Sequence, residues 1–371
     1  MSELTTGGLV SGSALGPRWG SEQTASVLWR LRNVCRQGEQ RPRLDCVSLE
    51  IRDVPTAVIG YSGAGKTTLL NILAGYEQPD SGLVERLIET VSGVGRHSAG
   101  ETAGVEIASR MPLYWIPQGG GLWPHLTVRQ HLLAMQTGRG GSRSGSVGPV
   151  GLEEKVDEIL ARLDLMHRKS AFPGEISEGE RSRLSVARGL VSGARVLLMD
   201  EPLAHVDPVR KPGYWKIIRE LSAGAGTTLV FSCHEPEILL RHAERVVGLR
   251  DGRVWYSGTV CQLYANPPEA DLGRFAGPLN WFSDEQSVLL GQSGSRVPAE
   301  VAIRPECLEV EVRTEVGVEG GLEIVRTQDI GWMTETEVCL VPGRMLTLLH
   351  GRKPDLLRPG QKIRLRLNRD A

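Results

Sequence analysis

One run of eight residues constrains this chain more than any other: Gly60-Tyr-Ser-Gly-Ala-Gly-Lys66-Thr67. It matches G-x-x-x-x-G-K-[ST], and its flanks supply the context that the pattern needs. Thr56 to Ile59 ahead of it is a short apolar strand. Thr67 to Ala74 behind it reads as a helix with Leu69, Leu70, Ile72 and Leu73 inward, stopped by Gly75. Glycines let consecutive backbone N–H groups converge on phosphate oxygens with no Cβ in the way, and the helix N-terminus adds about half a positive charge. Lys66 supplies a full charge, and the Thr67 hydroxyl can hold Mg²⁺. The stretch Gly60, Tyr61, Ser62, Gly63, Ala64, Gly65, Lys66, Thr67 and Thr68 is therefore the expected phosphate-binding segment.

A phosphate loop alone leaves many reactions open, so a second carboxylate decides. Val196 to Met199 is four consecutive apolar residues, which suits a central parallel strand, and it ends in Asp200-Glu201. Asp200 is then in reach of a metal through water, and Glu201 can polarise an attacking water as general base. Thr228 to Phe231 repeats the buried-strand pattern, while Val128–Gln136, Leu152–Asp164 and Glu178–Leu190 read as helices. Strands alternating with helices predict an α/β fold around a parallel sheet. Upstream, Val27–Val34 and Cys46–Ile51 alternate as two strands, with a turn through Gly38–Pro42.

The length of 371 residues suggests two or three domains. With 43 Lys+Arg against 44 Asp+Glu, the net charge of −1 leaves no excess of cations for a global interaction with nucleic acid. No run of about 18 apolar residues exists to span a membrane. Met1–Gly20 lacks the basic start and apolar run of a secretory signal, so a cytoplasmic location is expected. The cysteines (Cys35, Cys46, Cys233, Cys261, Cys307, Cys339) are scattered, with no metal or redox spacing; they are expected to be free, several as small buried hydrophobes. Residues 1–24 read as a flexible tail, and Ser92–Gly104 and Thr137–Gly151 as Gly/Ser-rich surface insertions. After an α/β region over 25–266, Pro267, Pro268, Gly277 and Pro278 mark a linker over 267–297. Beyond it, 298–371 holds only short alternating segments: Val301–Ile303, Leu308–Val312, Leu322–Val325, Val338–Val341, Leu346–Leu349 and Ile363–Leu367. Such a series predicts a small all-β barrel.

Further motifs give the chain a family resemblance. Ile176-Ser177-Glu178-Gly179-Glu180-Arg181 stands where the ATP-binding subunits of ABC transporters carry their Leu-Ser-Gly-Gly-Gln signature, and Ser182 to Leu190 resembles the helix that follows. Gln118, followed by Leu122-Trp-Pro-His-Leu-Thr-Val128, resembles their Q-loop. Pro202-Leu-Ala-His-Val-Asp207-Pro resembles their D-loop, and His234 stands at the switch-histidine position. The order matches over residues 25–265. The resemblance implies a P-loop NTPase (RecA-like) core with a helical subdomain at about 119–193. It also implies two copies paired head to tail, with ATP and Mg²⁺ between them. Ser177 and Gly179 of one copy then meet the γ-phosphate held by the other, and Asp207 shapes the seam. His234 donates to the same phosphate and holds the Glu201–water geometry. Thr67, Asp200 and Gln118 attend the metal, and Gln118 also touches the helical subdomain. Two departures stand out. Glu178 and Glu180 replace Gly and Gln of the signature, placing carboxylates near a phosphate. An aromatic that stacks on adenine is missing after the first strand; Trp29 belongs inside that strand, and Arg36 is the available substitute.

The tail narrows the resemblance. Asp251-Gly-Arg-Val and Ser257 to Pro267 are similar to the end of importer ATPases. Arg274-Phe-Ala-Gly277-Pro-Leu-Asn280 and Val301-Ala-Ile-Arg304-Pro305-Glu306 resemble the entry to the oligonucleotide-fold-like (TOBE-type) barrel of the maltose, polyamine, ferric-iron and sulfate importer group. The implied role is an ATP-hydrolysing energy-coupling subunit, peripheral on the cytoplasmic face of the membrane. Its implied partners are a second copy, two permease subunits and, indirectly, a solute-binding protein, with no nucleic acid. A soluble ABC ATPase acting on nucleic acid or ribosomes is the alternative, but coiled-coil, tandem or strongly basic additions are missing. A purely regulatory ATPase is opposed by Lys66, Asp200, Glu201 and His234, all present.

Overall fold

The computed structural model describes residues 25–87, 113–137, 149–290, 300–312, 322–341, 344–351 and 357–368. The predicted tail, the Ser92–Gly104 insertion and most of the second insertion lie outside them. In chain order the first half runs β1 (Val27–Arg36), β2 (Leu44–Arg52), β3 (Thr56–Ile59), α1 (Lys66–Ala74), β4 (Ser81–Arg86), β5 (Leu113–Ile116), α2 (Val128–Thr137), α3 (Pro149–Arg162) and α4 (Glu178–Ser192). It continues through β6 (Val196–Met199), α5 (Lys211–Gly224), β7 (Thr228–Ser232), α6 (Pro236–His242), β8 (Arg245–Arg250), β9 (Arg253–Thr259), α7 (Val260–Ala265) and α8 (Ala270–Arg274).

A six-stranded sheet of order β5-β6-β7-β3-β8-β9 carries the fold, and only β9 runs antiparallel to its neighbour. Its central strands are buried on both faces, which is why they read as unbroken apolar runs. Alternate side chains enter two different cores. Ala57, Ile59, Leu197, Met199, Leu229 and Phe231 pack with α4, α5 and α6 on one face. Val58, Val196, Leu198 and Val230 pack on the other with α1 and with the antiparallel sheet β2-β1-β4. Trp29 lies inside β1 with no exposed surface, as expected from sequence. Helices α2, α3 and α4 pack on one another, and α4 also lies against the sheet, with Val186, Ala187 and Leu190 in one core with Leu197 and Met199.

The second half holds β10 (Asn280–Phe282), β11 (Val301–Ile303), β12 (Leu308–Val312), β13 (Leu322–Asp329), β14 (Met333–Val341), β15 (Arg344–Gly351) and β16 (Lys362–Leu367). The last five form an antiparallel sheet of order β12-β16-β13-β14-β15, and β10 pairs with β11. Phe282, Ile303, Val310, Ile324, Val338, Leu348 and Leu365 fill a third core. The all-β unit is present, and its strands β13 to β15 are longer than the apolar alternation alone suggested.

The described part of the segment expected as a linker, residues 267–290, packs into both halves. Leu272 and Ala276 are buried in the core under the parallel sheet, whereas Phe282 is buried in the β core. Asn280 exchanges both its amide bonds with the Leu349 backbone, at 2.6 and 2.7 Å. Arg304 is 5% exposed and donates to the carbonyls of Tyr264, Gly273, Gly277 and Pro278, with its guanidinium 4.2 Å from the centre of the Tyr264 ring. A buried guanidinium persists because these oxygens replace its water. Prolines and glycines here turn the chain; they do not free it. The cysteine expectation also needs correction: all six are free, but only Cys233 is buried. Among the described residues no helix is long and apolar enough to cross a membrane.

Candidate functional site

Parallel strands gather their carboxyl ends on one edge of a sheet, where ligands of such sheets bind. Here β3 delivers Gly60–Lys66, β6 delivers Asp200 and Glu201, β7 lies between them and delivers Ser232 and His234, and the loop after β5 delivers Gln118.

Gly60, Gly63 and Gly65 have φ of 148°, 76° and 103°, a region that side chains disfavour. Space forbids them as well. A Cβ on Gly60 would sit 2.3 Å from the Leu249 carbonyl, and one on Gly65 2.4 Å from that of Arg43. Lys66 is 7% exposed, and its ammonium donates to Gly60 O at 2.9 Å and Tyr61 O at 3.1 Å across the loop. Burial lowers its pKa, opposed by the carboxylates of Glu201 and Asp200. Tyr61 is half-exposed and sets its ring edge against Phe275, centroids 5.2 Å apart. Ala64 and Thr68 are buried, which makes them part of the loop's support.

Around the loop the polar groups form one network. Thr67 Oγ1 donates to Asp200 Oδ2 at 2.6 Å, and Ser232 Oγ donates to Asp200 Oδ1 at 2.6 Å. The same serine oxygen accepts from the Glu201 amide at 2.9 Å. Glu201 has φ of 47°, a strained turn that carries its side chain away from the strand, to His234 Nε2 at 2.5 Å and Gln118 Nε2 at 3.2 Å. Gln118 is steadied through the glycines beside it. Ser185 Oγ donates to Gly120 O at 3.1 Å and Arg188 to Gly121 O at 2.7 Å, both from α4. Lys66, Thr67, Asp200, Glu201, His234 and Gln118 thus lie together at one edge of the sheet. Ser232 was missed; its one signal was a small hydroxyl residue closing an apolar strand beside the aspartate strand.

A hard divalent cation suits the donors present: a hydroxyl, a carboxylate and an amide oxygen. The Gln118 N–H group is spent on Glu201, which leaves its oxygen for such an ion.

Ser177 and Gly179 lie elsewhere, with Asp207, in a hollow of about 460 Å³ that Arg183, His205 and Tyr214 also line. Ser177 caps α4: its Oγ accepts from the Glu180 amide at 3.2 Å, and the Glu180 carboxylate accepts from the Ser177 amide at 2.8 Å and hydroxyl at 2.9 Å. Burial raises the Glu180 pKa, but these bonds and Arg168 outweigh it and hold the carboxyl below its usual range. The Glu180 charge is therefore consumed within α4's own cap. Glu178 stays exposed, paired with His205 at 3.4 Å. Arg36 does not lie free to cover a base; Glu77 and Asp80 hold it at 2.8 and 2.6 Å.

Comparison with known proteins gives the family of the chain. The family model described as ABC transporter matches residues 44–204. The ferric-iron import ATP-binding protein FbpC of Pseudomonas fluorescens is 30% identical over 266 residues, covering 69% of this chain and 70% of its own. The sulfate/thiosulfate import ATP-binding protein CysA of Synechococcus elongatus is 29% identical over 313 residues, covering 84% and 86%. Among solved structures, an ATP-binding subunit of an ABC transporter superposes with a TM-score of 0.51 at 23% identity, over 64% of this chain and 91% of its own. A dimeric ATP-binding cassette in a post-hydrolysis state, bound to ADP and phosphate, gives 0.50 at 24% identity, over 62% and 98%.

Proposed function

Because the chain belongs to the ATP-binding subunits of ABC transporters, we propose that it is the energy-coupling ATPase of an importer, working as a head-to-tail pair beneath two membrane permease subunits. The names of its relatives, importers of ferric iron and of sulfate or thiosulfate, support that direction of transport. A dimeric cassette among its structural neighbours supports the pairing. A peripheral place on the cytoplasmic face of the membrane follows from docking on permeases, as does a solute-binding protein upstream.

The reading rests above all on one observation: the Glu201 carboxylate, aimed by His234 and Gln118, at the edge where the phosphate loop opens. Backbone N–H groups of Gly60–Thr67 and the Lys66 ammonium bind the β- and γ-phosphates. Thr67, Asp200 and Gln118 would hold Mg²⁺, which neutralises phosphate charge when bound. Glu201 accepts the proton of the attacking water through Oε1 or Oε2. His234 turns that carboxylate toward the water and donates to the γ-phosphate. Ser177 and the Gly179 amide, at the start of α4, complete the phosphate site of the opposite copy, because orphan N–H groups and the helix dipole favour an anion there. Asp207 sits on the seam between copies.

Replacing Glu201 by Gln tests the assignment. ATP binding should persist while hydrolysis falls by roughly 10²-fold or more. Size-exclusion chromatography with ATP should then show an accumulated dimer, since the closed pair no longer decays. Hydrolysis near the wild-type rate would take the base role from Glu201.

A further inference from the structure

Two of the free cysteines face each other on neighbouring strands. Cys35 lies near the end of β1 and Cys46 early in β2, with their Sγ atoms 3.6 Å apart. The ladder between these strands slips there, from the pair Val34–Val47 to the pair Arg36–Leu44, so that Asp45 and Cys46 together stand opposite Cys35. This is a β-bulge, and Cys46 adopts φ of 50° to make it. The Cys46 amide donates to Cys35 Sγ at 3.2 Å. Hydrogen bonds from the Ser81 side chain and the Cys46 backbone hold the Cys35 thiol below its ordinary pKa, while bonding to Cys35 pushes the Cys46 thiol up. The Cys35 thiol thus gives up its proton more readily than its Cys46 neighbour, an asymmetry that suits thiol–disulfide exchange. Cys233, by contrast, is buried and pushed up to about 12, which makes it inert.

What the pair would hold is the loop between its members. Arg41, Arg43 and Leu44 of that loop lie against the phosphate-binding segment. The Arg43 carbonyl is the atom that a Cβ on Gly65 would strike at 2.4 Å, and the Arg41 guanidinium comes within 3.0 Å of the place of a Cβ on Gly63. Arg43 N also donates to Arg36 O at 2.7 Å, closing the loop's neck. Asp45 could make the cluster a metal site, but its carboxylate is committed to Arg253 at 2.7 Å, leaving two sulfurs as ligands. A dithiol fits better.

We propose that Cys35 and Cys46 are a reversible dithiol–disulfide pair, a redox modification site that controls nucleotide binding by tightening the loop seated on the phosphate-binding segment. The oxidant is a low-molecular-weight disulfide, such as glutathione disulfide. The Cys35 thiolate attacks one of its sulfurs, breaks the S–S bond and releases one glutathione thiolate. Cys46 gives its proton to solvent and attacks Cys35 Sγ, expelling the second glutathione thiolate. Two electrons leave the cysteine sulfurs and reduce one disulfide to two thiols. Closing the bond brings the sulfurs from 3.6 Å to about 2.05 Å, and the movement is taken up in the bulge. The effect on nucleotide rests on the reading of Gly60–Thr68 as a phosphate site; the disulfide does not.

The test equilibrates the full-length protein with graded ratios of reduced to oxidised glutathione, then alkylates and maps cysteines by mass. A single reversible transition should join the Cys35 and Cys46 peptides, lighter by two hydrogens, while the other four cysteines stay alkylated. A fluorescent ATP analogue should bind with a Kd at least threefold different in the two states of the wild type. That difference should vanish in Cys35→Ser and Cys46→Ser. Alkylation of both thiols at every ratio, or glutathione left on Cys35 with no transfer to Cys46, would overturn the pair. A disulfide that forms without changing the Kd would overturn the control of nucleotide binding. Failure of the reduced wild type to bind the analogue at all would count against the phosphate-loop reading instead.

Discussion

Base recognition is decided by single residues here. Trp29 is fully enclosed in β1, and Arg36 is held by two carboxylates, so neither can lie on a purine without breaking its own contacts. An aromatic stack contributes about 0.5–1.5 kcal/mol beyond buried area, and that contribution is missing after β1. Binding energy then comes mainly from the phosphate loop, which does not see the base. ATP should be preferred over GTP by less than about tenfold, or ~1.4 kcal/mol. Competition between the two nucleotides on the purified protein measures this. A hundredfold preference would mean another group reads the base, and the half-exposed Tyr61 would be examined first.

At the scale of elements, α4 shows how a departure from a family motif can be a local necessity. A carboxylate at the third helical position completes a capping box with Ser177, and it also draws Arg168 and His167 to 3.4 and 3.3 Å. Replacing Glu180 by Ala removes one acceptor of the box, where losing a cap costs about 0.5–2 kcal/mol. Thermal unfolding should show a lower Tm than wild type at neutral pH. The folded-state pKa of Glu180 is depressed, so its stabilisation is full above the ordinary carboxylate range of about 4.3 and is lost as pH falls through the folded value. The gap in Tm between variant and wild type should therefore narrow on acidification. An equal or higher Tm for the variant at pH 7 would show that the carboxylate is no part of the cap.

Over the whole molecule, Arg304 is the joint between the parallel-sheet half and the β half. Removing its side chain leaves four carbonyls without their shared donor, at a cost on the order of 1–3 kcal/mol for each one left buried with no other partner; the Gly273 carbonyl keeps the Ala276 amide. Arg304→Ala should loosen the joint, seen as faster limited proteolysis between residues 277 and 300, with nucleotide binding kept. A chain ending at Pro278 retains Leu272 and Ala276, which belong to the first half's core, and should also bind nucleotide. Loss of binding in the shortened chain would make the β unit part of the ATPase fold itself.

Chemistry that sits in consecutive residues was legible in the sequence. Gly60–Thr67 declares a phosphate loop because backbone N–H groups must converge where no Cβ can fit, and Val196–Glu201 declares a buried strand ending in carboxylates because both faces of a parallel strand are apolar. The family motifs then placed Gln118, Ser177, Gly179, Asp207 and His234 in their stretches of chain. What depended on partners distant in sequence was not legible. Ser232 bridges Asp200 and Glu201 only because β7 lies beside β6. The segment 267–297 reads as a linker by composition, yet Arg304 locks its early turns. Cys35 and Cys46 show no motif spacing and meet only because the register of β1 on β2 slips between them. Local pattern specifies backbone conformation and burial; which side chains share a space is decided by strand order, register and packing.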